Sequence, residues 1–240
     1  MAPRMTLFFD CAETLVETRW DMVRFTREIA QAVGLNLTDA GLYELGKMQQ
    51  AEEPDFLRVN QTRDAALGDE WWLEFTRRWL KEIGEPPELA EAISAESYRR
   101  LYGPDQTQFR LYPDVVPALD RLKADGFKMC IVSNWDFGLH RVVDRLGIAH
   151  YFDHILASLV EGVEKPDPGL FHIALQRANV SAYEVIHIGD NPVDDIQGAH
   201  AAGISALFLD RTGNSDPDSS ISSLDLLPHA LARAVSPLKP

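Results

Sequence analysis

Two textures alternate along the chain. Short apolar runs stand at 6–9 (TLFF), 127–133 (FKMCIVS), 154–158 (HILAS), 184–189 (EVIHIG) and 205–209 (SALFL). Runs this short and this apolar read as strands. Between the later runs, apolar positions recur at helical spacing over Val115–Lys123, Phe137–Leu146, Leu170–Ala178 and Ile196–Ala202. Pro113-Asp114 precedes the first of these as a start signal, and Gly147 follows the second as a stop. Strand and helix alternating through short links predict an α/β fold, a Rossmann-like parallel sheet covered on both faces.

Residues 17–110 break this alternation and contain no convincing strand. Met22, Phe25, Ile29 and Ala32 fall on one helical face, as do Trp72, Phe75, Trp79 and Ile83. Pro86-Pro87 then opens ELAEAISAESYRRL. The pattern predicts four or five helices inserted after the first strand. The expected division is a core of 1–16 plus 111–240 and an all-helical cap of 17–110. An insertion at that point is suited to act as a lid over a site at the strand ends. Helical periodicity assigns Trp71, Trp72 and Trp79 to the cap interior rather than to substrate. RTGNSDPDSSISS reads as a loop, and LDLLPHALARAV as a last surface helix.

Composition narrows the class. The chain has 240 residues, 45% hydrophobic and 25% charged, enough for a sizeable core. A net charge of −14 without a basic cluster argues against nucleic acid, whose phosphates require Lys/Arg neutralisation. An anionic substrate must be attracted locally, by a lysine, helix N-termini or a metal ion. No run approaches the ~18 apolar residues of a membrane span, and no signal-peptide pattern opens the chain. A cytoplasmic location is expected, with Cys11 and Cys130 as reduced, semi-buried thiols.

Candidate chemistry gathers at the carboxyl ends of the expected strands. Asp10 ends the first, Ser133-Asn134 the second, Lys165 follows the third and Gly189-Asp190 ends the fourth, continuing to Asp194 and Asp195. In an open parallel sheet such ends converge on one crevice. A carboxylate there can attack a phosphoryl group and form an aspartyl phosphate. Attack of anion on anion needs a divalent cation and donors to the phosphoryl oxygens. Asp10, Asp190 and one of Asp194 or Asp195 suit Mg2+. Ser133, the N–H groups after it and Lys165 suit the phosphate. A helix N-terminus enriched in acids accounts for Asp194 and Asp195 as well, but less readily for Asp190.

The stretches FFDCAETLV, IVSNWD, EKPDPGLF and HIGDNPVDDIQGA, in this order, resemble the haloacid dehalogenase superfamily over nearly the whole chain. The resemblance implies Asp10 as nucleophile and Thr14 as the residue steadying the first loop. It implies Ser133 and Lys165 as phosphate partners, with Asn134 beside them. Asp10, Asp190, Asp195 (or Asp194) and the backbone carbonyl of Ala12 would hold the metal, and a small phosphorylated metabolite would be the substrate.

The first stretch departs from the pattern. Phosphatases of this family carry a second aspartate two residues after the nucleophile, as the proton shuttle; here that position is Ala12. Glu13 stands next, where glycine is usual. A positioned acid–base group contributes ~10²–10⁴-fold, so slow or unusual turnover is expected unless Glu13 substitutes. Adjacent side chains in extended backbone point to opposite faces, which argues against a simple swap. Three readings follow in order: a Mg2+-dependent phosphatase, a non-catalytic phosphate or metabolite binder, and a carbon–halogen or phosphonate hydrolase. Halide departs without a proton, which suits Ala12. The acidic cluster would be superfluous there, because dehalogenases of this fold work without metal. Arg19, Arg24 and Arg58 of the cap are as readily a solvated face as substrate contacts. Oligomeric state is not legible.

Overall fold

The computed structural model describes residues 5–216 and 219–235. In chain order the elements are β1 (Thr6–Phe9), β2 (Val16–Thr18), α1 (Met22–Ala32), α2 (Asp39–Gln61), α3 (Ala65–Glu82), α4 (Leu89–Tyr102), β3 (Phe109–Leu111), α5 (Val115–Ala124), β4 (Lys128–Ser133), α6 (Gly138–Arg145), β5 (His154–Ala157), α7 (Ser158–Glu161), α8 (Pro168–Ala178), β6 (Val185–Gly189), α9 (Gly198–Ala201), β7 (Ser205–Leu209), β8 (Ser220–Ile221) and α10 (Leu227–Val235). The chain forms two compact units, one of Met1–Glu17, Arg110–Trp135 and Leu146–Pro240, the other of Thr18–Phe109 and Asp136–Arg145.

The first unit is built on a six-stranded parallel sheet in the order β5-β4-β1-β6-β7-β8. β1 lies inside it, and Leu7, Phe8 and Phe9 are fully buried. A strand covered on both faces cannot alternate polar and apolar residues, which is why TLFF is a continuous apolar run. Phe9 pairs with Ile131 on one side and Ile188 on the other. That register brings the carboxyl ends of β1, β4 and β6 to one edge. Phe8, Cys130, Val132 and Leu156 pack against Leu170, Phe171 and Ala174 of α8. Each large side chain buried there contributes roughly 1.5–3 kcal/mol. α8 starts at Pro168 beneath the Asp167 cap, whose carboxylate accepts the Gly169 N–H.

The helical unit has its own core. Phe25, Ile29, Leu45, Phe75, Trp79 and Leu80 are buried together, and Trp71 and Trp72 pack against them. The Trp79 indole N–H donates to the Gly41 carbonyl at 2.9 Å. Trp79 is therefore core, as its spacing implied, while Trp71 and Trp72 are half-buried against that core. α6 groups with these helices: Arg145 donates to the carbonyls of Gly103 and Pro104, Arg141 forks onto Asp69, and the Phe137 N–H reaches Asn60.

Some elements escape the sequence pattern. β2 and β3 pair with each other, but at three residues apiece they are too short to show a period. Ahead of α9 the backbone makes a π-helical turn over Pro192–Gln197, a widened coil that helical spacing does not announce. α10 is not a simple surface helix, because Leu227, Ala230 and Leu231 are buried. In the loop expected at 211–223, residues 217 and 218 lie outside the described residues. Among the described residues, no helix is long and apolar enough to cross a membrane.

Candidate active site

Asp10 leaves β1 with its N–H on the Ile188 carbonyl at 2.9 Å, a continuation of the sheet. Its carboxylate is buried. Ser133, at the end of β4, donates its hydroxyl to Asp10 Oδ1 at 2.9 Å, and Lys165 Nζ reaches the same oxygen at 2.6 Å. Neither bond falls on Oδ2, which keeps its lone pairs for an electrophile or a cation. Lys165 Nζ also donates to Asp195 Oδ1 at 2.6 Å. Asn134 does not spend its amide on the pocket. It donates to the Lys165 carbonyl and accepts the Lys165 N–H, both at 2.8 Å, and so fixes the backbone that carries the lysine.

Asp190 follows β6, and the hydroxyl of fully buried Thr14 donates to its Oδ1 at 2.9 Å. Carboxylate oxygens of Asp10, Asp190 and Asp195 all lie within 4.8 Å of one another. Asp195 rather than Asp194 joins this group; Asp194 instead accepts the Asn191 side-chain amide. Both oxygens of Asp195 are occupied, Oδ1 by Lys165 and His187 and Oδ2 by the Asn191 N–H. The residue ahead of Asp190 has to be glycine for a steric reason. A Cβ on Gly189 would meet the Asp195 carboxylate carbon at 2.2 Å.

The charges are unbalanced. Burial raises the pKa of Asp10, and nearby Asp195 adds to this while Lys165 opposes it. Asp190 is pushed up to about 6 by burial and by the Asp10 charge. Burial alone would raise Asp195, but the His187 hydrogen bond and Lys165 hold it below the usual carboxylate range. Lys165 is driven down by burial and further up by Asp10 and Asp195, so it stays protonated. One ammonium thus faces three carboxylates. Burial and the Asp10 charge push the Cys11 thiol well up, and Cys130 rises to about 12, so neither is a thiolate at neutral pH.

Ala12 and Glu13 complete the loop. Ala12 is partly exposed. Glu13 has φ of 54°, a left-handed conformation natural to glycine and costing another residue about 1 kcal/mol. Its carboxylate accepts the Tyr112 hydroxyl at 2.7 Å and is not in the carboxylate cluster found among the described residues. The sequence pattern assigns no role to three participants in these networks. His187 stands first in the stretch HIGDNPVDDIQGA, as a polar residue inside an apolar strand. It is wholly buried, with Nε2 2.9 Å from Asp195 Oδ1 and no hydrogen-bond partner at Nδ1 among the described residues. Tyr112 and Arg211 lie outside the four stretches.

The family described as haloacid dehalogenase-like hydrolase matches residues 5–203. The chain belongs to the haloacid dehalogenase-like hydrolases. This hydrolase is similar to haloacid dehalogenase-like hydrolase domain-containing protein 3 of Danio rerio, 28% identical over 238 residues, 95% of this chain and 97% of that one. It is similar to phosphoserine phosphatase of Thermus thermophilus, 33% identical over 147 residues, 60% of this chain and 57% of that one. Among solved structures, it resembles a 2-haloacid dehalogenase from Pseudomonas syringae pv. Tomato with a TM-score of 0.72 and 30% identity, covering 97% of this chain and 100% of that one.

Proposed function

We propose that this hydrolase removes phosphate from a small phosphorylated metabolite, with Asp10 as nucleophile and Mg2+ beside it. The observation that carries the reading is the excess of buried carboxylate around Lys165. With all three aspartates ionised, the cluster holds two negative charges more than its lysine, which fits a divalent cation bound by hard oxygens. Asp10 Oδ2, Asp190 and the Ala12 carbonyl would hold it. Asp195, whose oxygens already take protein donors, would supply charge and hold Lys165. The cation would neutralise charge on the phosphoryl oxygens.

The residues then have separate tasks. The Asp10 carboxylate attacks phosphorus, the P–O ester bond breaks, and the leaving oxygen takes a proton. Ser133 and Lys165 hold the phosphoryl oxygens. Water attacks the aspartyl phosphate, phosphate leaves and the carboxylate returns. No aspartate stands at residue 12 to move these protons, so they pass to and from solvent at partly exposed Ala12, and turnover is slow.

A second reading is displacement of halide from a 2-haloacid by the same aspartate. Ala12 and the 30% identical haloacid dehalogenase favour it; the carboxylate cluster favours the first. One assay separates them: p-nitrophenyl phosphate hydrolysis with and without Mg2+, halide release from 2-chloropropionate, and an Asp10→Asn control. Mg2+-dependent ester hydrolysis lost in the control is expected. Metal-independent halide release would transfer the assignment to the second reading. Phosphate binding without turnover would leave a binding protein.

A further inference from the structure

Thr14 is tied at both ends. Its hydroxyl holds Asp190, and its carbonyl accepts Arg211 Nε at 3.1 Å and Nη2 at 2.5 Å. Arg211 follows β7, far along the chain from the first loop. Its Nη1 pairs with both oxygens of Asp114 at 3.1 and 3.0 Å. The guanidinium also sits 3.7 Å from the centroid of the Tyr112 ring. Tyr112 in turn gives its hydroxyl to Glu13 and its N–H to the Leu15 carbonyl at 3.2 Å. Asp114 is fixed from behind by the Ser223 hydroxyl and the Leu224 N–H, both at 2.8 Å. Asp114 stands at the start of α5 yet makes no side-chain cap there, because its carboxylate is used on these partners.

Arg211 therefore grips the first loop through a carbonyl one residue from the left-handed Glu13, while Tyr112 grips Glu13 itself. We infer that Arg211 and Tyr112 are positioning residues that hold the Cys11–Thr14 loop in the shape that presents the Ala12 carbonyl and the Thr14 hydroxyl to the Asp10–Asp190 pocket. An arginine suits this place because one planar fork can serve a carbonyl, a carboxylate and an aromatic face together. The inference rests on the metal-pocket reading for its functional consequence, but its structural part is independent of that reading.

The test uses the full chain with Arg211→Met, Arg211→Lys and the milder Tyr112→Phe, which removes one hydroxyl and spares the fold. Hydrogen–deuterium exchange without metal reads the loop directly, because the Leu15 and Val16 amides both donate to the Cys11 carbonyl. Arg211→Met should speed exchange at residues 13–16 while β4 keeps its protection. Mg2+ affinity by calorimetry should weaken about tenfold, the usual effect of losing a group that orients metal ligands. Arg211→Lys should recover part of both, and Tyr112→Phe should shift both less. Wild-type exchange at 13–16 in folded Arg211→Met and Tyr112→Phe would overturn the inference. So would a loosened loop with unchanged Mg2+ affinity, the result of a merely structural role. If the wild type binds no Mg2+ but the loop loosens, the metal reading fails and loop positioning stands. If it binds Mg2+ without hydrolysing esters, only the phosphatase reading fails.

Discussion

At the scale of single residues, the first loop concentrates what is unusual about this protein. Asp10, Ser133 and Lys165 form a compact hydrogen-bonded set on one carboxylate oxygen. The sequence pointed to all three, because each stands at the end of a strand or just after one. Glu13 is different. Its place in the pattern left open whether it replaces the acid missing at Ala12, and the fold turns its carboxylate to Tyr112. The left-handed φ explains why glycine is usual at that position, a fact of backbone geometry that the letters alone do not carry. Introducing Ala12→Asp should raise kcat on an aryl phosphate about a hundredfold, the lower end of the usual range for a positioned general acid–base group. Steady-state kinetics with saturating Mg2+ checks this, and no gain would mean that protonation of the leaving group does not limit turnover. Gly189 shows the reverse relation: its identity is plain in the sequence, but the reason, a carboxylate where its Cβ would go, exists only in the fold.

At the scale of elements, long periodic segments were legible and short or locally distorted ones were not. α3 could be read from Trp72, Phe75 and Trp79 because they follow one face, on which Phe75 and Trp79 are buried and Trp72 packs against them. β2, β3 and β8 have too few residues for a period to show, and each is stabilised by its strand partner rather than by its own sequence. The π-helical turn after Asn191 depends on where the Asp195 carboxylate has to point, which is a tertiary demand. In the helical unit, Trp79 gives both apolar burial and a hydrogen bond. Trp79→Phe would leave the Gly41 carbonyl without its indole donor and open a small void. A loss of ~1–3 kcal/mol is expected in urea unfolding; a variant as stable as wild type would show that the core repacks around a smaller ring.

At the scale of the whole molecule, a chain of net charge −14 sets its buried Lys165 and half-buried Arg211 against specific carboxylates. Lys165 serves Asp10 and Asp195, and Arg211 serves Asp114. Burial pushes Asp114 up, but Arg211, Ser223 and the Leu224 N–H outweigh it and leave its pKa below the ordinary 3.8. A carboxylate depressed on folding stabilises the native state above its unfolded pKa and loses that contribution as pH falls through the folded value. Asp114→Asn should therefore cost about 1 kcal/mol at pH 7, and the gap to wild type should close below pH 3.8. Thermal unfolding of both proteins across that range checks it; a gap independent of pH would mean that shape, not charge, matters at Asp114. The sequence by itself determined the class of sheet, the helical segment after its first strand and the residues at the strand ends, because burial and periodicity are local consequences of which side chains are apolar. Only the tertiary structure decided that Asp195 rather than Asp194 joins Asp10 and Asp190, that Glu13 faces Tyr112, and that Arg211 and Asp114 brace Thr14. Those choices join positions up to nearly two hundred residues apart, and such pairings arise from the parallel register of the sheet rather than from any pattern along the chain.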